Sequence, residues 1–176
     1  FIALDTANEK NIGEEQFEWL KSELQKSQKF KYRFVLMHVP LFDPRKGIEK
    51  RGHSLEDVAF AQKLNNLFDQ ENVTMVFASH IHGYYTGKWN KTPFIITGGA
   101  GAELMGTDKD HYFYHYLVVK VSDNGIEYEL RKLKSPDFEI FDRIMHDIWL
   151  YVYAFLAIHF IDTILAVGFI YLFIYI

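Results

Sequence analysis

The chain has 176 residues, with 19 Lys plus Arg against 23 Asp plus Glu, a formal net charge of −4 and no cysteine. The mildly acidic balance excludes a general nucleic-acid binder, which needs a basic excess. The missing cysteines exclude disulfide scaffolds, thiolate zinc sites and cysteine nucleophiles. Composition is uneven along the chain. Residues 148–176 hold a single Asp, Glu, Lys or Arg, which is Asp162, and nine of the 30 aromatic residues. The rest has the charge content of an ordinary soluble domain.

Residues 1–5 read as an apolar strand. A helix is predicted over 14–27, with Phe17, Leu20 and Leu24 on one face. Residues 33–38 form a second apolar run that Pro40 ends. The stretch 39–53, with Pro44, Gly47 and Gly52, reads as a loop. Ser54 followed by Asp57 resembles a capping box, opening a helix that turns Val58, Ala61, Leu64, Leu67 and Phe68 inward. Residues 73–79 and 93–97 are the next strands, followed by a glycine-rich turn at 98–102. Two longer strands, 112–121 and 126–134, flank the hairpin signal Asp123-Asn124-Gly125. Alternating strands and helices followed by strands alone indicate an α/β sheet extended by antiparallel strands.

As one helix, residues 148–176 would be about 43 Å long at roughly 1.5 Å per residue, against a hydrocarbon core of about 30 Å. The expected organisation is a domain at 1–137, a linker at 138–147 and a transmembrane helix at 148–176 that places the protein in a lipid bilayer. Trp149, Tyr151 and Tyr153 near one end, and Tyr171 and Tyr175 near the other, suit interfacial belts. Asp162 then lies mid-span with His159 on its face, as a helix–helix contact or the lining of a polar path. Basic residues (Arg131, Lys132, Lys134, Arg143) precede the span and none follows it, which favours a cytoplasmic soluble part. Both ends of the chain read as cut.

Three histidines stand at strand ends: His38 in Met37-His38-Val39-Pro40, and His80 and His82 in Ser79-His80-Ile81-His82-Gly83. The carboxyl edge of such a sheet is where ligands bind. On extended backbone, His80 and His82 would project to one side about 6.5–7 Å apart, suited to two metals about 3.5–4 Å apart. His111 and His115 read as ordinary core or surface histidines. Gly98-Gly99-Ala100-Gly101-Ala102 lacks the Lys-Ser/Thr of a phosphate-binding loop and the full Gly-x-Gly-x-x-Gly fingerprint. It reads as a turn that lets backbone approach the metal site closely.

Met-His-Val-Pro-Leu-Phe, Ser-His-Ile-His-Gly-Tyr and Ile-Ile-Thr-Gly-Gly-Ala-Gly, in that order, resemble the C-terminal half of a calcineurin-like metallophosphoesterase over roughly residues 1–135. The resemblance implies the C-terminal half of a four-layer α/β/β/α sandwich, here followed by a transmembrane helix. It implies a dinuclear centre of two divalent metal ions (Mn, Fe or Zn) that hydrolyses phosphate mono- or diesters. By motif, His38 and His80 would ligate one metal and His82 the other. Arg45 and His53, in the loop after His38, could then reach a substrate phosphate, which Arg contacts well, or belong to a solvated loop. Ser79 stands where the family usually has Gly. The family's Asp-x-His, Gly-Asp and Gly-Asn-His motifs have no counterpart here, and the expectation is that they precede this segment. The segment alone is then expected to be inactive, and no catalytic acid is assigned. Two further readings stand beside this one: a non-catalytic phosphoesterase-like binding or regulatory module of a membrane protein, and the regulatory domain of a larger transport or receptor region.

Overall fold

Five strands, β1 (Ile2–Ala3), β2 (Phe34–Leu36), β3 (Met75–Ala78), β4 (Tyr84–Trp89) and β5 (Thr92–Thr97), form one sheet in the order β1-β2-β3-β5-β4. All pair in parallel except β4, which runs antiparallel along the edge. The computed structural model describes residues 1–45, 53–101, 103–106, 108–134 and 139–175. Gly47, Gly52, Ala102 and residue 138 of the expected linker lie outside them.

Helix α1 (Gly13–Lys26) crosses from β1 to β2, and helix α2 (Val58–Gln70) from β2 to β3. Successive parallel strands added in one direction by like-handed crossovers place both helices on one face of the sheet. The rings of Phe17 and Phe60 accordingly meet at 5.6 Å. Lys63 bridges the same two helices, over the Phe17 ring and paired with Glu14 at 3.0 Å. Phe17, Leu20 and Leu24 of α1, and Ala61, Leu64, Leu67 and Phe68 of α2, are buried as their helical spacing predicts. They close over Val35, Val76 and Ala78 of the sheet.

The start of α2 differs from expectation. Asp57, not Ser54, is the N-cap: its carboxylate accepts a hydrogen bond from the Phe60 N–H at 2.9 Å. The helix therefore begins at Val58, which at the first helical position is 66% exposed rather than inward. Strand β4 had no counterpart in the expected elements. Its interior Gly87 weakens the strand signal, and a Cβ there would sit 3.0 Å from the Phe94 ring on β5, so a larger residue would press on that ring.

A separate two-stranded sheet pairs β6 (His115–Ser122) with β7 (Gly125–Lys132) around the predicted Asp123-Asn124 turn. The described residues thus supply one helix layer, a mixed α/β sheet and a second, smaller sheet.

The chain divides into two compact units, Phe1–Lys134 and Ser135–Ile176. The second unit corrects the single span expected over 148–176. It contains two helices, α3 (Glu139–Ile158) and α4 (Phe160–Tyr175), bent by 84° at a break between Ile158 and Phe160. Among the described residues no single helix is long and apolar enough to cross a membrane, although the bent pair passes that test together.

Asp57→Ala is expected to lower stability by about 1 kcal/mol through loss of the cap. Leu64→Ala, at a site with no solvent exposure, should cost about 2–5 kcal/mol. Urea denaturation of both variants checks the ranking.

Candidate functional site

The carboxyl ends of β2, β3 and β5 converge, and each delivers one element of the site. His38 leaves the end of β2 held by Thr6, a fully buried residue whose hydroxyl accepts from the His38 and Val39 N–H groups at 3.0 and 2.9 Å. The His38 carbonyl then accepts from Ser79 N–H at 2.9 Å, which locks the ends of β2 and β3 together.

Beyond Ser79 the chain does not stay extended, contrary to the strand spacing expected for the His-x-His pair. Ile81 N–H donates to the Ser79 carbonyl at 2.6 Å and Gly83 N–H to the Ile81 carbonyl at 2.7 Å. These are two successive three-residue turns, centred on His80 and His82. His80 occupies the left-handed region at φ 59°. For a non-glycine residue that conformation costs of order 1–3 kcal/mol and clusters at functional sites.

The turn brings His80 Nδ1 to 3.2 Å from His38 Nε2, the two rings meeting edge to face. Glu9 Oε1 stands 4.0 Å from His80 Nε2. His82 is oriented differently, with its Nδ1 donating to the Glu103 carbonyl at 2.6 Å. A carbonyl partner of this kind fixes the orientation of an imidazole, as the outer partners of metal-binding histidines do. The glycine-rich turn after β5 packs against this segment. A Cβ on Gly98 would lie 2.3 Å from the Ile81 carbonyl oxygen and 2.9 Å from the His82 Cα, so the close approach expected of this loop is present. Gly99 makes room likewise for His115, which is fully buried and bonded to Phe113 O and Thr97 Oγ1, a satisfied core histidine.

The two loop residues expected to meet substrate divide. His53 joins the cluster, its ring 5.7 Å from that of His80 and its buried Nδ1 without a hydrogen-bond partner. Arg45 is committed elsewhere: its Nε and Nη2 fork onto Asp43 at 3.0 and 2.7 Å. The Asp43 side chain is only 2% exposed. Burial works to raise the Asp43 carboxyl, but the Arg45 hydrogen bonds outweigh it and hold it below the ordinary carboxylate value. The bidentate face of Arg45 is therefore occupied by protein rather than open to phosphate. Sequence reasoning did not single out Thr6, Glu9 or Asp43. Asp43-Pro44-Arg45 carried a local signal, because an acid two residues before an Arg in a turn can fold back on it.

Burial, reinforced by the neighbouring His80 and His82, lowers the His38 pKa below the free-imidazole 6.5, with Glu9 opposing. Burial followed by Arg45 and His80 lowers that of His53, against Asp43 and Glu9. Both rings thus favour the neutral, ligand-competent form. Two nitrogens 3.2 Å apart are also separated as two donors to one cation would be, since bonds of about 2.1 Å at an angle of about 100° give that spacing. His38 and His80 therefore fit a shared cation. Among the described residues, however, no group of three or more His, Asp or Glu side chains is placed to hold a metal ion.

The unfolded chain takes up protons on His38 and His53 as pH falls below about 6.5, while the folded chain resists. Their contribution to stability is complete above 6.5 and is lost as pH drops from there toward the lowered folded values. The urea midpoint is expected to decline between pH 7 and 5.5, less steeply in His53→Gln. Gly98→Ala should cost about 1–3 kcal/mol by overpacking, read from the same titration at pH 7.

No protein-family model matches the chain. Over 114 residues, 60% of this chain, it is 28% identical to probable purple acid phosphatase 20 of Arabidopsis thaliana, and it spans about a quarter (26%) of that protein. The solved structure of purple acid phosphatase PPD1 from yellow lupin (Lupinus luteus) seeds is similar at TM-score 0.54 and 22% identity, over 74% of this chain and 28% of that one. GAP50, described as the anchor in the inner membrane complex of Plasmodium, is similar at TM-score 0.51 and 17% identity, over 77% and 49%. With the parallel sheet and its two crossover helices, these similarities give the chain a calcineurin-like metallophosphoesterase fold.

Proposed function

We propose that this chain forms part of a metal-dependent phosphoesterase that hydrolyses phosphate mono- or diesters. The observation that carries the reading is the His38–His80 pair, two nitrogens 3.2 Å apart at the carboxyl ends of adjacent parallel strands. In this reading His38 and His80 hold one divalent cation and His82 the second. The Glu103 carbonyl fixes the ring orientation of His82, and Thr6 that of the His38 backbone. Such a pair of cations (Mn, Fe or Zn) supplies a water activated near neutral pH and a charge clamp for phosphoryl oxygens. Three neutral imidazoles do not balance two divalent charges, and hard cations favour carboxylate oxygen. This reading therefore requires carboxylate ligands in addition to the three histidines. His53, at the edge of the cluster, is the substrate contact retained by this reading, while Arg45 is paired with Asp43.

The similarity to GAP50, a protein described as an anchor, favours a second reading, in which the fold serves as a non-catalytic binding or regulatory module of a membrane protein.

Purified complete protein assayed with p-nitrophenyl phosphate and bis(p-nitrophenyl) phosphate in Mn²⁺ separates the two. The enzyme reading expects turnover that chelation abolishes. It also expects His80→Ala or His82→Ala to lower kcat by about 10³-fold or more, the scale of losing an essential group. Unchanged turnover in both variants overturns the site, and inactivity of the metal-loaded protein supports the module.

A further inference from the structure

We propose that residues 139–175 form a membrane elbow, with α3 lying in the plane of the lipid–water interface and α4 entering the hydrocarbon nearly along the bilayer normal. The proposal is independent of the phosphoesterase reading.

The two helices differ in kind. On α3, Ile144, Ile148, Tyr151, Phe155 and Ile158 recur at helical spacing as one bulky apolar face. Its acidic and histidine residues, among them Glu139, His146 and Asp147, are confined to the first half of the helix, and from Ile148 to Ile158 Trp149, Leu150 and Tyr153 carry the apolar surface round to the other side. A helix that combines charged groups with a broad apolar surface belongs at the interface rather than in the hydrocarbon, where a charge is costly. On α4 the only Asp, Glu, Lys or Arg is Asp162, in the first turn, and beyond it the helix is apolar on every side from Ile164 to Phe173. Such a helix is buried or immersed in lipid. Ile164, Leu165, Val167, Phe169, Ile170, Leu172 and Phe173 are all more than half exposed.

The bend decides the arrangement. An angle of 84° relates a helix in the membrane plane to one along the normal. A break at the bilayer centre would leave backbone carbonyls without partners, at several kcal/mol each; at the interface, water satisfies them. The elbow also relieves the difficulty of Asp162. In a straight span that carboxylate would sit at mid-membrane. Here it stands in the first turn of α4, where the helix dipole favours an anion, beside His159 at 3.4 Å. The inner side of the bend is an apolar notch of about 430 Å³ lined only by Leu156, Phe160, Ile164 and Val167. An acyl chain matches that lining, with no polar group left to satisfy.

Because the chain has no cysteine, single-cysteine variants report unambiguously. The complete protein is reconstituted in vesicles of phosphatidylcholine and phosphatidylglycerol. A nitroxide is placed in turn at Ile148, Ala154, Phe155, Ala157, Ile161, Ile164, Val167 and Phe173, and depth is read from collision with oxygen against a water-soluble nickel chelate. On α3, Ile148 and Phe155 should read about 5–10 Å deep, with Ala154 and Ala157 at headgroup level. On α4, depth should grow steadily by about 18 Å from Ile161 to Phe173 at roughly 1.5 Å per residue. A continuous gradient through both helices overturns the elbow in favour of a straight span. Failure to float with vesicles, or burial of the α4 labels from both lipid and water, overturns it in favour of a second copy or another protein surface. Each variant is checked by flotation, so a misfolded one is identified and its neighbour one turn away is used.

Discussion

The left-handed backbone at His80 is the constraint on which the site depends. Parallel pairing of β2 and β3 puts their ends side by side, and the Ser79 N–H to His38 carbonyl bond fixes that juxtaposition. Continued extension past Ser79 would send the next side chain along the strand and away from β2. The turn at φ 59° instead swings the imidazole across the sheet edge until its nitrogen lies 3.2 Å from that of His38. This conformation is unfavourable for any residue with a Cβ, so it persists because its surroundings over-determine it. Gly98 allows the neighbouring turn to sit directly against Ile81 and His82. Thr6 holds the other partner from beneath. Neither contact touches the imidazole pair, yet both determine where it lies.

Helix periodicity carried most of the fold. Phe17, Leu20 and Leu24, and then Ala61, Leu64, Leu67 and Phe68, were legible because burying one stripe of a helix imposes its spacing on the sequence. What escaped was set by contacts distant in sequence. Gly87 lies against the Phe94 ring of the neighbouring strand, and nothing local to residue 87 records that ring. The start of α2 was misread by three residues because Ser54 and Asp57 are both good caps. Tertiary packing decides between them: Leu55 is buried and bonds back to the Pro40 carbonyl, leaving Asp57 at the helix mouth. At the candidate site, residue identity singled out His38, His80 and His82. The reason offered for the pair, extended backbone two residues apart, does not hold, because the chain turns at His80 in a way that composition does not announce.

Asp43 illustrates how a buried charge determines the role of a neighbour. An arginine in a loop beside three histidines invites assignment to phosphate, and the chemistry of the guanidinium supports that assignment. A carboxylate with a 2% exposed side chain cannot be left unpaired, since an uncompensated buried charge costs several kcal/mol. Arg45 answers that demand with two parallel hydrogen bonds, so both residues are committed to each other. His53 bears no such obligation among the described residues, and its buried Nδ1 has no hydrogen-bond partner.

The two units meet the requirement for apolar burial in opposite ways. In the first, the helices cover a sheet, and residues such as Leu20, Leu64 and Val76 reach zero exposure within a few dozen residues of chain. In the second, two helices joined at 84° have too little mutual surface to cover each other, so Phe169, Ile170 and Phe173 remain outward. Apolar surface of that extent in water is unfavourable at about 25 cal/mol per Å², and a continuous band of it calls for a covering phase. The charges make the same division, since Asp162 is the only Asp, Glu, Lys or Arg after Asp147. It lies in the first turn of α4, directly after the break, while the apolar residues follow it along the helix. Placing that turn at the edge of an apolar phase keeps the carboxylate out of the hydrocarbon, where an ionised group is costly, while the rest of the helix is covered.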